Sequence, residues 1–192
     1  PIISAMQAPE VLEVLEEYCR TNGNRLILAG RDFTIRHNDL EGGLTYQGST
    51  GATHGLFPSL NGSYQTGNAA LALAAAEQLS SLGVPVSSQA MHHGLQTTRW
   101  PGRMELIRLP GGSELLLDGA HNPAGAQALA DALGAYATRR KILLLGMMED
   151  KDLHGVLDTL LQQVQQVITV SPSQERAIPA ASLADSCRTA GS

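Results

Sequence analysis

The chain has 192 residues and a mass of 20.3 kDa, enough for one sizeable domain or two small ones. Hydrophobic residues make up 43% of it, which argues against a disordered chain, and only 4% are aromatic. The formal charge of −5 without a Lys/Arg cluster argues against a nucleic-acid-binding protein, and no apolar run approaches the ~20 residues of a membrane span.

The cysteines and the N-terminus indicate the cellular setting. Cys19 and Cys187 lie far apart and lack CxxC spacing, so neither a disulfide scaffold nor a zinc site is indicated. The first residues carry no basic segment followed by an apolar stretch, so no signal peptide is predicted. We therefore expect a cytoplasmic protein with no metal site in this chain.

The first part of the chain is predicted to run strand, helix, strand and meander. Residues 2–5 form a short buried strand, and Pro9 begins an amphipathic helix that ends at the turn 22–24. The apolar run 25–29 is a strand. The polar, turn-rich stretch 30–63 is typical of a β-meander followed by a loop.

Two helices follow before a seam in the chain. The Ala- and Leu-rich stretch 67–82 is the strongest helix signal, and Gly83-Val84-Pro85 ends it. A shorter helix is predicted over 86–95, with Ser87 or Ser88 as its N-cap. The natural seam between domains lies at about residues 84–96.

The second part alternates strands and helices. Two apolar runs flank Pro110-Gly111-Gly112, which predicts a hairpin over 104–118. The later predicted elements are helix 123–138, strand 141–146, helix 152–163 and strand 166–170. Such alternation implies an α/β fold, with a parallel sheet and helices on its faces.

The stretch L-D-G-A-H-N-P, residues 117–123, is the most informative motif. A strand delivers Asp118 to its carboxyl end, where open α/β sheets place their ligands. Asn122 and Pro123 suit the start of a helix, whose N-terminus favours an anion. Asp118 could accept from ribose hydroxyls, and His121 could donate to a phosphate or carboxylate. An ordinary turn from a strand into a helix explains the same residues, because D-G turns and N-P helix starts are common there; His121 would then be a capping or packing side chain.

Three further stretches carry weaker signals. In W-P-G-R-x-E, residues 100–105, Arg103 could clamp a phosphate, or it could pair with Glu105 or another carboxylate while Trp100 anchors the boundary between the domains. In Y-Q-x-x-N-A-A-L-A, residues 64–72, Asn68 falls in the first turn of the predicted helix, and taken alone the motif favours a capping role for it over ligand binding. In G-M-x-x-D-K-D, residues 146–152, a ligand-side loop and plain surface charge are both consistent with the acids and the lysine.

Taken in order, these four motifs resemble the folylpolyglutamate synthase/dihydrofolate synthase family of the Mur ligase superfamily, over about residues 2–186. The resemblance implies the end of a central ATPase α/β domain over residues 1–89. A Rossmann-like C-terminal glutamate ligase domain, expected to be truncated, would follow over residues 90–192. Tyr64 stands where the family usually has His.

The family reaction uses ATP to activate a folate or dihydropteroate carboxylate as an acyl phosphate, which the amine of L-glutamate then attacks. The resemblance implies that Asn68, Arg103 and Asp118 contact ATP. Arg103 would steady the phosphates and Asp118 the ribose. His121 would be the catalytic candidate, close to the interdomain cleft.

One departure from the family limits what this chain is expected to do. It contains no G-x-x-G-K-[ST] phosphate loop, and the resemblance puts the family's Mg²⁺ ligands upstream of residue 1. We therefore expect a piece of a monomeric enzyme that is inactive alone. The alternatives are a Rossmann-like nucleotide-binding module without catalysis and a Mur-type ligase with another acyl substrate.

Overall fold

The computed structural model describes residues 1–38 and 42–191. The chain packs as two compact units, Pro1–Trp100 (the first unit) and Pro101–Ser192 (the second unit). The predicted domain boundary between residues 89 and 90 lies inside a helix of the first unit, and the identity of the two predicted domains stays a prediction. No helix in the described ranges is long and apolar enough to cross a membrane.

Within residues 1–38 and 42–100, the first unit contains a parallel strand pair, an antiparallel sheet and three helices. Its strands are β1 (Ile2–Ser4), β2 (Leu26–Leu28), β3 (Thr34–His37), β4 (Leu44–Gly48) and β5 (Gly51–Leu56). Its helices are α1 (Pro9–Thr21), α2 (Tyr64–Ser81) and α3 (Ser88–Thr97). β1 pairs with β2 in parallel, and the three others form an antiparallel sheet in the order β3-β4-β5. The predicted meander is confirmed, except that residues 39–41 lie outside the described residues.

Local signals explain where most of these helices begin. Proline stands at the first position of α1, where its missing N–H costs nothing. The hydroxyl of Ser87 accepts a hydrogen bond from the Ala90 amide and caps α3, as predicted. By contrast, α2 begins at Tyr64, three residues before the predicted start at Gly67.

The core of the first unit lies between α2 and the two sheets. Small residues on α2, such as Ala70 and Ala74, allow the helix to pack closely against buried side chains of the strands. Leu73 of α2 and Leu56 of β5 are almost fully buried. Burial of one such leucine stabilises the fold by about 1.5–3 kcal/mol.

Within residues 101–191, the second unit contains a hairpin, a parallel strand pair and three helices. Its strands are β6 (Glu105–Arg108), β7 (Glu114–Leu117), β8 (Ile142–Leu145) and β9 (Gln166–Thr169). Its helices are α4 (Pro123–Leu133), α5 (Leu153–Leu160) and α6 (Ala180–Ala190). β6 and β7 form the predicted hairpin, and β8 pairs with β9 in parallel. The α/β fold class is confirmed.

Apolar side chains from α4, α5, α6 and β8 form the core of the second unit. Ala126, Val156, Leu157 and Leu183 are fully buried in it. The opposite face of the parallel pair is open, because Leu144 of β8 is 61% exposed. The prediction of helices on both faces of the sheet is therefore wrong for this strand pair within the described residues.

Three other differences concern the helices of the second unit. α4 ends at Leu133 and continues only as a 3-10 turn over 134–136, because Gly134 weakens the helix. α5 ends at Leu160 and likewise passes into a 3-10 turn. α6 is not among the predicted elements; Leu183 is its one fully buried residue, so it carries little of the apolar periodicity that predicts a helix.

Candidate functional site

Asp118 follows the last residue of β7 and is half-buried. Its Oδ1 accepts a hydrogen bond from the Ala120 amide at 2.8 Å. Its Oδ2 accepts one from the Met104 amide at 2.9 Å. The Asp118 carboxylate thus joins the D-G-A-H-N-P motif to the W-P-G-R-x-E motif.

The turn that carries Arg103 has an unusual backbone. Gly102 has φ of +70° and Met104 has φ of +47°, so a left-handed residue stands on each side of Arg103. Glu105 Oε2 accepts a hydrogen bond from the Gly102 amide at 2.8 Å. The interpretation that Glu105 pairs with Arg103 is therefore wrong, because Glu105 binds the backbone of the turn instead.

The guanidinium of Arg103 lies beside Gly119. A Cβ atom built on Gly119 would be 3.4 Å from Arg103 Nη1 and 3.7 Å from Arg103 Cζ. Arg103 is exposed and makes no ion pair with any residue in the described ranges. The side chain can therefore offer its five N–H donors to an anion.

His121 and the start of α4 complete this part of the second unit. His121 Nδ1 lies 2.8 Å from the Gly119 carbonyl oxygen. Because a carbonyl only accepts, we assign the proton to Nδ1, which leaves Nε2 of the neutral ring as an acceptor. Asn122 Oδ1 accepts from the Gly125 amide at 2.7 Å and caps α4, as predicted.

The G-M-x-x-D-K-D stretch lies next to this helix start. A Cβ on Gly155, in the first turn of α5, would be only 2.6 Å from Pro123 Cγ, so the N-terminal ends of α4 and α5 touch. Asp150 pairs with Lys151 at 3.0 Å and Arg176 at 3.1 Å. The Lys151 ammonium, and to a lesser extent the Arg176 guanidinium, lowers the pKa of Asp150.

Asn68 belongs to the first unit and lies on the exposed side of α2. It is the fifth residue of that helix, so the capping interpretation is wrong. Its Nδ2 donates a hydrogen bond to Gln65 Oε1 at 2.9 Å. Gln65 is buried and lines a cavity of about 320 Å³, together with His37, Phe57 and other residues.

Sequence reasoning missed two features of this site. The left-handed conformation of Met104 has no signal in its residue type, because methionine rarely adopts it. The contact of Glu105 with the Gly102 amide could have been suggested only by the short spacing between the two residues. Among the described residues, no group of three or more His, Cys, Asp or Glu could hold a metal ion.

Comparison with protein families places residues 102–192 in a family described as "Mur ligase, glutamate ligase domain". The chain is 28% identical, over 186 residues, to folylpolyglutamate synthase of Lacticaseibacillus casei, covering 94% of this chain and 43% of that protein. It is 32% identical, over 184 residues, to dihydrofolate synthase/folylpolyglutamate synthase of Mycobacterium tuberculosis, covering 93% of this chain and 37% of that protein.

Solved structures show the same likeness. The structure of Mycobacterium tuberculosis folylpolyglutamate synthase complexed with ADP matches with a TM-score of 0.84 and 28% sequence identity. The match covers 98% of this chain and 43% of that one. This chain therefore spans less than half the length of the relatives that it matches over most of its own length.

Proposed function

Because this chain belongs to the folylpolyglutamate synthase/dihydrofolate synthase family, as its C-terminal portion, we propose that it carries nucleotide-contacting residues of a glutamate ligase. The ligase uses ATP to join L-glutamate to a folate or dihydropteroate. The observation that carries the proposal is Arg103, an exposed cation without an ion pair in the described part of the chain, held beside the Asp118–Gly119 corner.

The proposed reaction has two displacement steps. The carboxylate of the acyl substrate attacks the γ-phosphorus of ATP, and ADP leaves to give an acyl phosphate. The amine of L-glutamate attacks the acyl carbon, inorganic phosphate leaves, and a base takes the proton from the new amide nitrogen. Both steps build negative charge on phosphate oxygens, so a positioned cation accelerates them.

Each candidate residue has a chemical role in this proposal. The Arg103 guanidinium donates to phosphate oxygens, because its planar fork suits them. Asp118 accepts from ribose hydroxyls with the lone pairs that Met104 and Ala120 leave free. Asn68 offers its amide to the nucleotide, and His121 Nε2 is the candidate acceptor for the amine proton.

The described residues do not fit a Mg²⁺ site of their own. Mg²⁺ is bound through carboxylate oxygens and water, and no acidic cluster of sufficient size is present in the described ranges. No step above is therefore assigned to a metal ion held by these residues.

Titration of the chain with ADP tests nucleotide binding. We expect Arg103→Ala to weaken binding roughly tenfold, which is the loss of about 1.4 kcal/mol from a charge-assisted contact. The matched control is Arg108→Ala, since Arg108 is an exposed arginine on β6 whose nearest acid is Glu114. Equal affinity of the two variants, or no binding of ADP by the unmodified chain at millimolar concentration, would refute the proposal.

A second assay tests the ligase reaction. The protein expressed from its complete reading frame is expected to release ADP and phosphate only when a folate-type acid and L-glutamate are both present. Release with a different carboxylic acid in place of the folate-type acid would instead favour a Mur-type ligase with another acyl substrate. Nucleotide binding without turnover of any acid would favour the non-catalytic module.

A further inference from the structure

We propose that Glu105 is a positioning residue, which acts through the backbone of residues 102–104 to hold the Arg103 guanidinium ready for a phosphate. The inference rests on the proposed phosphate contact of Arg103. Glu105 would touch neither the nucleotide nor the reacting atoms. Its effect would pass entirely through the turn.

Two carboxylates hold the turn, one on each side of Arg103. Glu105 Oε2 accepts from the Gly102 amide at 2.8 Å, and Asp118 Oδ2 accepts from the Met104 amide at 2.9 Å. The backbone N–H groups of both neighbours of Arg103 are thus fixed to acids. Charge-assisted hydrogen bonds of this kind are stronger than bonds between neutral groups.

The conformation that these bonds hold is unfavourable for the chain itself. Met104, with φ of +47°, is the only non-glycine residue in the described ranges with a positive φ, and its side chain is buried. Residues with a side chain avoid this region, so surrounding contacts must impose it. Gly102, at φ of +70°, supplies the other left-handed residue. Because the bond from Glu105 fixes Gly102, its loss should release the turn at the residue before Arg103.

The turn then determines where the guanidinium lies. Arg103 has no acidic partner in the described part of the chain, and its Nη1 lies 3.4 Å from the position of a Cβ on Gly119. Glu105 uses an oxygen on the backbone and so leaves the positive charge of Arg103 available. A side chain that is fixed before the ligand arrives loses less entropy on binding.

The test compares Glu105→Ala with Glu105→Gln in the full 192-residue chain by titration with ADP. Alanine removes the acceptor for the Gly102 amide, and we expect it to weaken binding about tenfold. Glutamine keeps a carbonyl oxygen at the same place and should rescue most of the affinity. In an Arg103→Ala background, Glu105→Ala should have no further effect, because the residue through which it acts is gone.

Nuclear magnetic resonance of the Arg103 Nε–Hε group gives a readout that needs no nucleotide. We expect a dispersed signal in the unmodified chain and in Glu105→Gln, and a signal typical of a free arginine in Glu105→Ala. An unchanged signal in a folded Glu105→Ala chain would overturn the inference. So would equal loss of ADP affinity in the alanine and glutamine variants, or an undiminished loss in the Arg103→Ala background.

The two readouts separate this inference from the proposed function. If the unmodified chain does not bind ADP, the proposed function fails. The Nε–Hε signal then still decides whether Glu105 orders Arg103. Suppose instead that the chain binds ADP and that Arg103→Ala weakens this binding. If the Glu105 variants then bind ADP as tightly as the unmodified chain, only the positioning role fails.

Discussion

Replacement of Glu77 tests how the first unit is held together. Glu77 lies on α2 and is only 5% exposed, although it carries a carboxylate. Its Oε2 accepts from the Tyr46 hydroxyl at 2.9 Å and from the Ser49 amide at 3.2 Å. Its Oε1 accepts from the Thr50 amide at 3.3 Å and the Thr50 hydroxyl at 2.6 Å. One acid therefore ties α2 to the turn between β4 and β5.

The expected loss follows from which atoms can accept. Each carboxylate oxygen takes one backbone N–H, so in Glu77→Gln one of these N–H groups must face an NH₂ group, whichever way the amide is turned. A hydrogen bond to a charged group contributes about 1.5–3 kcal/mol to stability. We expect Glu77→Gln to lower the free energy of unfolding of the first unit by that amount at neutral pH.

The effect should depend on pH. Burial alone would raise the pKa of Glu77, but hydrogen bonds from Thr50, Tyr46 and the Ser49 and Thr50 amides outweigh it and lower the pKa below its usual 4.5. A lowered pKa means that this stabilisation is complete above 4.5 and is lost as the pH falls through the folded-state value. Glutamine does not titrate, so the difference between the two proteins should shrink in acid.

Urea unfolding followed by far-ultraviolet circular dichroism, at about pH 7 and about pH 4, measures both effects. Hydrogen exchange of the Ser49 and Thr50 amides reports on the same contacts locally. The control is Glu13→Gln, because Glu13 is exposed on α1. A destabilisation no larger than that of the control, or a difference that does not shrink in acid, would refute the reasoning.

Two further predictions concern the second unit. Asn122→Ala removes the N-cap of α4 and should lower the free energy of unfolding by about 1 kcal/mol in urea denaturation, whereas Asn122→Asp, which keeps an acceptor, should not. Leu157→Ala empties a fully buried site and should cost about 2–5 kcal/mol, whereas Leu144→Ala, at a side chain that is 61% exposed, should cost much less. Similar losses at Leu157 and Leu144 would show that the exposed face of β8 is covered in solution.

Sequence reasoning succeeded where a local signal decides the structure. Pro9 begins α1, Ser87 caps α3, and Asn122 with Pro123 begins α4, because each residue satisfies or removes a free backbone N–H. The hairpin of β6 and β7 likewise follows from the glycines of its turn, which take the positive φ it requires. Each of these features depends on residues within one or two turns of chain.

The failures concern contacts between residues distant in sequence or packing that the local pattern does not encode. The early start of α2 accompanies burial of Gln65, an amide that the sequence places in a polar stretch. Glu77 reads as an ordinary surface acid of a helix, and only the fold brings it to Thr50, 27 residues away. The open face of β8 could not be predicted either, because an apolar strand has the same pattern whether one or both faces are covered.

In the candidate site, Asp118 shows both a feature that the local sequence predicts and a long-range contact that it does not. The position of Asp118 at the end of a strand is predictable, and its proposed role toward a ribose rests on that position together with the family resemblance. Its bond to the Met104 amide crosses 14 residues and makes it part of the turn that carries Arg103. A variant at Asp118 would therefore disturb the proposed ribose contact and the proposed phosphate contact together, whereas a variant at Glu105 would affect only the turn. A double-mutant cycle of Asp118→Ala with Arg103→Ala would separate the two effects. In the Arg103→Ala background the loss of ADP affinity that acts through the turn disappears, and the loss from the proposed direct contact of Asp118 remains.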